Sequence, residues 1–509
     1  GQLSMTDGES FGYSGNFTLN YNTLLNDKHI IYAGLGAELI QNDSRSHGFI
    51  VTGFPDDRYS DPAFAIQYKK ETKASSSESK TRSVVFFANG NYSYADRYFA
   101  DFSVRVDGSS RFGSDKKYAP FWSAGIGWNI HNENFFKGTK ISMLKLRYSY
   151  GVTGNQEFSA YQAKTMFKFN TDRLYNSGIS AGLMGYGNPD LKWQKQYQSN
   201  IGMDFGYAQD RVRVQFNYYY KETEGMLTSV TVAPSLGISG NSFTANLGKI
   251  KNKGVEFNLN AVAIRKPEQD LEWSLMLQAA HNKNKIVEIS QSLKNINEEN
   301  NANKTTPLAV YEEGESMSAI KAVTSLGIDP ITGQELFLKK DGSVTYEWDA
   351  MDKVICGDSE PKVFGNIGTN LYWRGWNLNM VFKYDLGGDY YNSTLAQRVE
   401  GADPRSNADR RVLSDRWKEP GQYALYKNIK EYSSTYVSSR FVQKENTLQL
   451  TSVSLSYDLK REWLNQWGIN TMRLSFYMND VFRASTVKSE RGLDYPFQRS
   501  FVFGLNISF

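Results

Sequence analysis

Five residues of this sequence carry side chains that are suited to holding a ligand: Tyr390, Tyr391, Asn392, Tyr426 and Tyr432. Aromatic rings stack on sugar rings or grip peptide side chains, and an amide both donates and accepts hydrogen bonds. In a second interpretation, these loop aromatics pack on one another, and the sequence does not separate the two. We therefore predict them as candidates for substrate contact in a binding or transport protein.

Catalytic chemistry has little support in this sequence. The four histidines, His29, His47, His131 and His281, are scattered, and no pair has the spacing of metal ligands. No serine lies in a nucleophile elbow. We expect no enzyme, no cofactor and no resident metal. A net charge of +4 over 509 residues is small, so nucleic acid is not an expected partner.

Two short motifs have both a chemical and a structural interpretation. The stretch 340–343 (KDGS) has the start of a calcium loop but lacks the remaining ligand positions and the closing Glu. Its Asp-Gly pair favours a hairpin turn. The stretch 125–127 (GIG) could be mistaken for a dinucleotide-binding loop, but no helix follows it. We predict small residues that face a barrel lumen.

The elements that must position the loop residues are predicted to be strands. In 122–130 the apolar residues Trp122, Ala124, Ile126, Trp128 and Ile130 alternate with Ser, Gly and Asn. The C-terminal stretch 499–509 has the same pattern, with one fully apolar face. We count about fifteen such strands of roughly ten residues, the length that crosses a bilayer when tilted. The tryptophans at 122 and 128 are predicted to be lipid-face or interface anchors.

The predicted connections alternate strictly between short turns and long loops, as in outer-membrane barrels. The long loops are predicted near 43–82, 154–195, 225–250, 286–360 and 388–446. Charged residues keep to the polar faces of the strands, since a Lys or Arg facing lipid costs roughly 2–4 kcal/mol at mid-bilayer. Examples are Arg105, Lys145, Arg147, Arg213, Glu256 and Arg473. The sequence predicts an all-β, antiparallel transmembrane barrel.

Several motifs occur in a fixed order along the chain. They are RVDGSSRFG at 105–113, WSAGIGWNI at 122–130, LKLR at 144–147, YGVTGNQ at 150–156, NPDLKW at 188–193, NKGVE at 252–256 and GDSEPK at 357–362, followed by the aromatic C-terminus. In combination they resemble the SusC/RagA-like TonB-dependent outer-membrane transporters of Bacteroidota. The stretch at 363–366 follows the pattern more loosely, which leaves the start of that strand open.

The resemblance implies a 22-stranded barrel with a plug domain in its lumen. Only about fifteen strands are predicted here, and no plug-like domain precedes them. Counting back from the C-terminus places residues 1–10 outside and Phe509 in the periplasm, which requires an odd number of strands. Single-chain bacterial barrels have an even number. Our hypothesis is that residues 1–509 form the C-terminal part of a transporter barrel, starting within an extracellular loop.

The function implied by the resemblance is import of a bulky nutrient, an oligosaccharide or a peptide, across the outer membrane. The implied partners are a SusD-like surface lipoprotein, the TonB-ExbB-ExbD complex acting through a plug, the remaining barrel strands from another chain or fragment, and outer-membrane lipid. A dimer of transporter–lipoprotein pairs is also compatible. We expect residues 154–195 to form the hinge loop to the lipoprotein. The alternative is a passive porin or structural barrel; a soluble glycan-binding β protein fits the strand pattern poorly.

Overall fold

The computed structural model describes the chain except for residues 57, 59–60, 71, 113–116, 156–160, 162, 176–177, 186, 188–191, 232–241, 247, 404, 406–408, 432–433 and 489–497. Fifteen strands follow one another as hydrogen-bonded neighbours in one large sheet, and each pair with a resolved register is antiparallel. This confirms the predicted strand count. Among the described residues, no helix has the length and apolarity required to cross a membrane.

The first eight strands of the sheet are β1 Gln2–Leu25, β2 His29–Thr52, β3 Ser75–Tyr94, β4 Tyr98–Ser109, β5 Tyr118–Asn129, β6 Ile141–Asn155, β7 Gln194–Tyr207 and β8 Val212–Glu224. The remaining seven are β9 Lys249–Lys266, β10 Leu271–Glu288, β11 Val363–Trp373, β12 Trp376–Tyr391, β13 Val442–Asp458, β14 Thr471–Ser485 and β15 Phe501–Ser508. A short strand, Gln67–Tyr68, adds to β2.

Smaller elements occupy the connections. Hairpins pair Met166–Tyr175 with Gly178–Gly185 and Leu227–Thr231 with Ser242–Asn246. A four-stranded sheet contains Ala319–Ile328, Glu335–Leu338, Val344–Thr345 and Lys353–Asp358. Helices are α1 Gln291–Asn301, a π-helix Leu395–Glu400 and α2 Arg461–Leu464. Turns of 3₁₀ helix lie at Pro62–Phe64, Ile130–Asn132, Asn134–Phe136, Pro267–Gln269, Ala350–Asp352, Arg410–Leu413, Ser439–Phe441 and Asn465–Trp467.

The chain divides into two compact units. Unit 1 comprises Gly1–Ile126, Ser149–Gln198 and Thr223–Leu247, and so contains β1–β4, the long-loop ends of β5–β8 and the two hairpins. Unit 2 comprises Gly127–Tyr148, Ser199–Glu222 and Gly248–Phe509, and so contains the short-turn ends of β5–β8 together with β9–β15. Unit 2 also holds what we call the loop subdomain, residues 289–362 and 392–441.

Exposed apolar side chains alternate along the strands as the pattern predicts. Trp122, Ile126 and Trp128 are exposed on β5, whereas Gly125 between them is buried with no space for a side chain beside Asp101. Phe503 on β15 is 74% exposed. An exposed apolar face on strand after strand is what a lipid-facing sheet requires.

The loop predicted at 43–82 is partly wrong. Strand β2 continues to Thr52 and β3 begins at Ser75, with Asp43 opposite Lys80 in the ladder. Likewise residues 2–10, expected in an extracellular loop, belong to β1. Residues 43–48 and 75–82 have no apolar face, so hydrophobic alternation could not reveal them. At about 3.3 Å per residue, strands of 24 residues are far longer than the membrane is thick.

The edges of the sheet bear on the pairing of the last strand. In the part of the chain that the structure describes, the sheet path ends at β15, which pairs with β14, and at β1, which pairs with β2. Strand β15 is therefore not paired there with residues 14–24. The strand whose start was left open begins at Val363.

Candidate functional site

Three of the motifs that carry the family resemblance meet in one cluster of unit 1, which we call the aromatic cluster. It contains Phe112, Ala119, Phe121, Val152 and Trp193, all buried. The Trp193 ring stacks on Phe112 with 4.2 Å between centroids, and it meets the edge of Phe121 at 5.4 Å. Phe112 precedes β5, Ala119 and Phe121 lie in β5, Val152 lies in β6, and Trp193 precedes β7. The cluster therefore packs several strand ends against one another where the long loops begin.

The second glycine of the YGVTGNQ motif, Gly154, has a role in packing. A Cβ atom at Gly154 would overlap the ring of Phe121. The absence of a side chain on β6 at this position therefore lets the aromatic ring approach the backbone. The motif glycine is required by packing and has no contact that would suggest a ligand.

Two further motifs, NKGVE and GDSEPK, meet in unit 2 in what we call the polar cluster: Tyr219, Asn282, Asn284, Asp358 and Glu360. The carboxylate of Glu360 accepts hydrogen bonds from the side-chain amides of Asn282 and Asn284, each at 2.5 Å. The Tyr219 hydroxyl donates to Asn282 Oδ1 at 2.9 Å. Asp358 Oδ1 accepts from the Glu360 backbone N–H at 3.0 Å. The cluster joins β8, β10 and the segment that leads into β11.

Gly254 of the NKGVE motif lies against the same cluster. A Cβ atom at Gly254 would overlap the backbone oxygen of His281 and the hydroxyl of Tyr219. His281 is the partner of Val255 in the β9–β10 ladder, so its oxygen has little freedom to move. This glycine lets Tyr219 reach Asn282.

Charged side chains on the polar faces of the strands are paired. Arg147 contacts Asp204 at 3.3 Å and donates to Asn217 Oδ1 at 2.7 Å, across three neighbouring strands. Arg473 donates to both carboxylate oxygens of Asp458. These contacts place two of the predicted lumen arginines where opposite charges keep them on the polar side of the sheet.

The loop subdomain is held together by a buried arginine. Arg440 donates to Glu335 at 2.8 and 3.1 Å and to Glu400 at 2.5 and 2.9 Å. Burial alone would lower the pKa of Arg440, but the hydrogen bonds and charges of Glu400 and Glu335 raise that pKa overall. Behind this pair, Arg416 donates to backbone oxygens that include those of Lys427 and Glu400. Arg440 thus fixes the strand Glu335–Leu338 and the π-helix Leu395–Glu400 to one another.

The loop subdomain contains a cavity of about 230 Å³. One side of it is lined by Gln334, Glu335, Phe337 and Tyr346, and the other by Lys427, Glu431 and Tyr436. Lys427 is buried, and burial lowers its pKa although Glu400, Glu335 and Glu431 oppose that shift. Its ammonium group donates to the Ser434 backbone oxygen at 3.3 Å.

Two of the predicted contact residues, Asn392 and Tyr426, are buried in the loop subdomain, and Tyr391 is half-buried at the end of β12. Asn392 is 1% exposed and donates to Gln443 Oε1 at 3.1 Å. Tyr426 is buried with Ala396, Val399 and Phe441, and Tyr391 packs against the same group. Tyr391 and Tyr426 therefore pack on loop residues, and contact of these three residues with a substrate stays a prediction.

The other two predicted contact residues differ in status. Tyr390 is half-buried at the end of β12, so contact with a substrate stays a prediction for it. Tyr432 lies outside the described residues. The residues 340–343 form a hairpin turn between Glu335–Leu338 and Val344–Thr345, as predicted, with the Lys339 N–H bonded to the Ser343 oxygen at 2.9 Å. In the described part of the chain, no group of three acidic, His or Cys side chains is arranged to hold a metal ion.

Sequence reasoning missed the cavity residues. Lys427 is adjacent to the predicted Tyr426, but Glu335 and Arg440 lie 105 positions apart, and nothing in their local pattern indicates that they meet. Trp193 belongs to the NPDLKW motif, and this motif is a signal in the sequence for that residue. Its contact with Phe112 depends on strand pairing across the sheet.

The antiparallel sheet with exposed apolar faces, short turns at one end and long loops at the other has the pattern of strands in an outer-membrane barrel. Comparison with known proteins agrees. The family model described as "TonB dependent receptor-like, beta-barrel" matches residues 2–392. The chain therefore belongs to the TonB-dependent receptor family, whose members are outer-membrane transporters and not enzymes, and it is an outer-membrane protein.

Among curated proteins, the chain is similar to TonB-dependent receptor P3 of Formosa agariphila, with 29% identity over 475 residues that cover 84% of this chain and 46% of that protein. It is also similar to TonB-dependent receptor SusC of Bacteroides thetaiotaomicron, with 25% identity over 456 residues, 84% of this chain and 44% of SusC. The chain thus spans about half the length of the curated relatives it matches.

Among solved structures, the chain is similar to a chain of the RagAB peptide transporter. The TM-score is 0.87 with 22% identity, over 100% of this chain and 56% of that chain. A further structure of RagAB, described as the "open-open" state of a peptide importer, gives a TM-score of 0.84. At this level of identity the likeness shows the fold.

Proposed function

We propose that residues 1–509 form the barrel part of a SusC-like TonB-dependent transporter that imports a bulky nutrient, an oligosaccharide or a peptide, across the outer membrane. The observation that carries the proposal is the match of the receptor barrel family to residues 2–392. The similarity to SusC and the fold shared with RagAB give additional support. The chain's role is to supply lumen wall and outer loops.

The proposal includes partners outside this sequence. A plug, the remaining strands next to β1 and β15, and the TonB-ExbB-ExbD complex complete the energised machine, and a SusD-like lipoprotein captures the nutrient. In the outer membrane, the pairs of transporter and lipoprotein are present either singly or as dimers of pairs. The polar charge pairs on the strand faces, such as Arg147 with Asp204, support a hydrated lumen.

Energised transport is tested by uptake. Cells that produce the complete transporter and its lipoprotein should take up labelled oligosaccharide or peptide only while TonB is present and the proton gradient is intact. Uptake that persists at the same rate without TonB would instead support a passive porin. Uptake of neither nutrient class would contradict the proposal.

The hinge assignment is proposed for the loop between β6 and β7. Both of its ends are fixed in the aromatic cluster, by Val152 on one side and Trp193 on the other. Between them lies the hairpin Met166–Gly185. A loop with both ends packed in a cluster and a hairpin between them suits a connection to a lid, so we propose this hairpin as the contact to the lipoprotein.

The test replaces 166–185 by a short Gly-Ser linker and leaves both anchoring residues in place. We expect at least about a tenfold loss of lipoprotein co-purification, the equivalent of about 1.4 kcal/mol, with unchanged heat-modifiable migration of the barrel. The matched control replaces the other hairpin of unit 1, 227–246. Equal loss in both variants, or no loss in the first, would contradict the hinge assignment.

A further inference from the structure

The apolar face of β1–β4 in unit 1, which we call the lipid face, ends in charged residues on the side of the long loops. The lipid face exposes Phe17, Phe86 and Phe102. Arg82 lies four positions before Phe86 in β3, so it shares that face, opposite Gln41 of β2. Between this pair and the short turns, the described residues of the lipid face include no Asp, Glu, Lys or Arg. Arg82 is therefore the first charged side chain of β3 beyond the apolar face.

The position of Arg82 along β3 places it at the edge of the membrane. Tyr92, which is exposed on the same face, lies near the short turn that follows β3. At about 3.3 Å per residue and a tilt of about 35–45°, the strand rises by roughly 25 Å between the two residues, the height of the apolar band of such barrels. With Tyr92 in the aromatic girdle on the short-turn side, Arg82 lies at the outer boundary, the level of the lipid headgroups.

A groove of about 340 Å³ lies on the lipid face at this boundary. Its walls include Leu39, Val84 and the exposed ring of Tyr118 at the start of β5. A Cβ atom at Gly108 would overlap the Tyr118 ring, so the absence of a side chain there lets the ring lie close to β4. Apolar walls that continue into the lipid face suit a hydrocarbon chain.

The charged residues that line the groove are Arg82 and Lys117, and both are exposed cations. The Nε of Arg82 donates to Gln41 Oε1 at 2.9 Å, whereas its terminal nitrogens and the Lys117 ammonium have no hydrogen-bond partner among the described residues. The carboxylate of Asp43, further out on β2, has Lys80 as its counter-charge at 2.9 Å. The groove therefore has two positive charges that form no ion pair with a described carboxylate.

An occupant of this groove must combine a hydrocarbon chain with an anion at the level of the headgroups. A carboxylate of a protein partner would have to reach a surface that lipid covers, whereas a lipid phosphate is already at that depth. The planar guanidinium group matches phosphate oxygens in a bidentate manner, and the ammonium adds a point charge. We propose that Arg82 and Lys117 bind the phosphate of an outer-leaflet lipid whose acyl chain lies in the groove beside Tyr118. The proposal depends on the outer-membrane location of the chain and is independent of what is imported.

The test is native mass spectrometry of the complete transporter, purified in detergent and stripped of lipid, with increasing concentrations of diphosphorylated lipid A. We expect the variant that combines Arg82→Ala with Lys117→Ala to bind this lipid at least about tenfold more weakly, because both phosphate contacts are lost. Arg82→Lys in place of Arg82→Ala should recover part of the affinity, since it keeps the charge. Both residues are exposed, and heat-modifiable migration of each variant verifies that the barrel is folded.

The matched control is Arg45→Ala. Arg45 is an exposed arginine of β2 that lies further from the membrane, pairs with Glu78 at 3.3 Å and does not line the groove. The affinity of this variant for lipid A should equal that of the unaltered protein. A loss as large as that of the double variant would show that the effect is one of general surface charge and would overturn the proposal.

Two further probes separate a lipid site from a site for free anions. Lipid A from which both phosphates have been removed should bind the unaltered protein about as weakly as intact lipid A binds the double variant. Equal binding of the dephosphorylated lipid would contradict the role of the cations. Displacement of lipid A by inorganic phosphate at the same concentration would assign the cations to a free anion, and unchanged affinity of the double variant would exclude the site.

Discussion

The aromatic cluster of unit 1 and the polar cluster of unit 2 are both made where sequence motifs meet at strand ends, yet they are held by different forces. In the first, Trp193 is 5% exposed and surrounded by rings and an aliphatic chain. In the second, Glu360 and the two asparagines are half-buried and joined by hydrogen bonds. Water can reach the second cluster but is excluded from the first.

This difference determines how each cluster responds to damage. Removing a buried ring leaves a cavity that neither protein nor water fills well, so the cost includes both lost transfer energy and the cavity. Removing a half-buried acceptor leaves donors that water can satisfy, so only the net value of the hydrogen bonds is lost. Substitutions where water is excluded should therefore lower the stability more than substitutions that water can reach.

The largest effect is expected for Trp193→Ala. Loss of the buried indole should lower the free energy of unfolding by about 3–5 kcal/mol, measured by urea denaturation in detergent with heat-modifiable migration as a second readout. The control is Trp467→Ala, since Trp467 is 67% exposed and surface changes usually stay within about 0.5 kcal/mol. A Trp193 variant as stable as this control would show that the aromatic cluster does not anchor the strand ends.

A smaller effect is expected for Gly254→Ala at the polar cluster. The added Cβ overlaps His281 O and the Tyr219 hydroxyl, and overpacking of this kind costs about 1–3 kcal/mol. Combining it with Tyr219→Phe removes the overlap with the hydroxyl. The double variant should lose less stability than the sum of the two single variants, measured by the same denaturation as a double-mutant cycle. Strict additivity would contradict the proposed crowding.

The sequence predicts the sheet wherever one strand face is apolar. On β5 and β15 the alternation of large apolar and small or polar residues located the strands to within a few positions, because lipid imposes that alternation. It missed residues 43–48 and 75–82, which are paired strand segments with polar residues or glycine on both faces. Outside the membrane, backbone pairing requires no hydrophobic period.

The candidate site was less predictable than the sheet. The predicted Asn392 and Tyr426 are buried in the loop subdomain, and the predicted Tyr391 is half-buried at the end of β12. The cavity residues Glu335 and Lys427 come from segments about a hundred positions apart, and their meeting depends on how two long loops fold together. The residue type shows what a side chain can bind, whereas the exposure of that side chain depends on the tertiary structure.

The smallest effect is expected for Glu360→Ala. Two hydrogen bonds to Asn282 and Asn284 are lost, but because the asparagines are half-exposed, water replaces the carboxylate and the loss of stability should be only about 1 kcal/mol. The same denaturation measures it, with the exposed Glu347→Ala as the control. If Glu360→Ala cost as much as Trp193→Ala, water access would not be what separates the two clusters, and the polar cluster would be as dry in solution as the aromatic one.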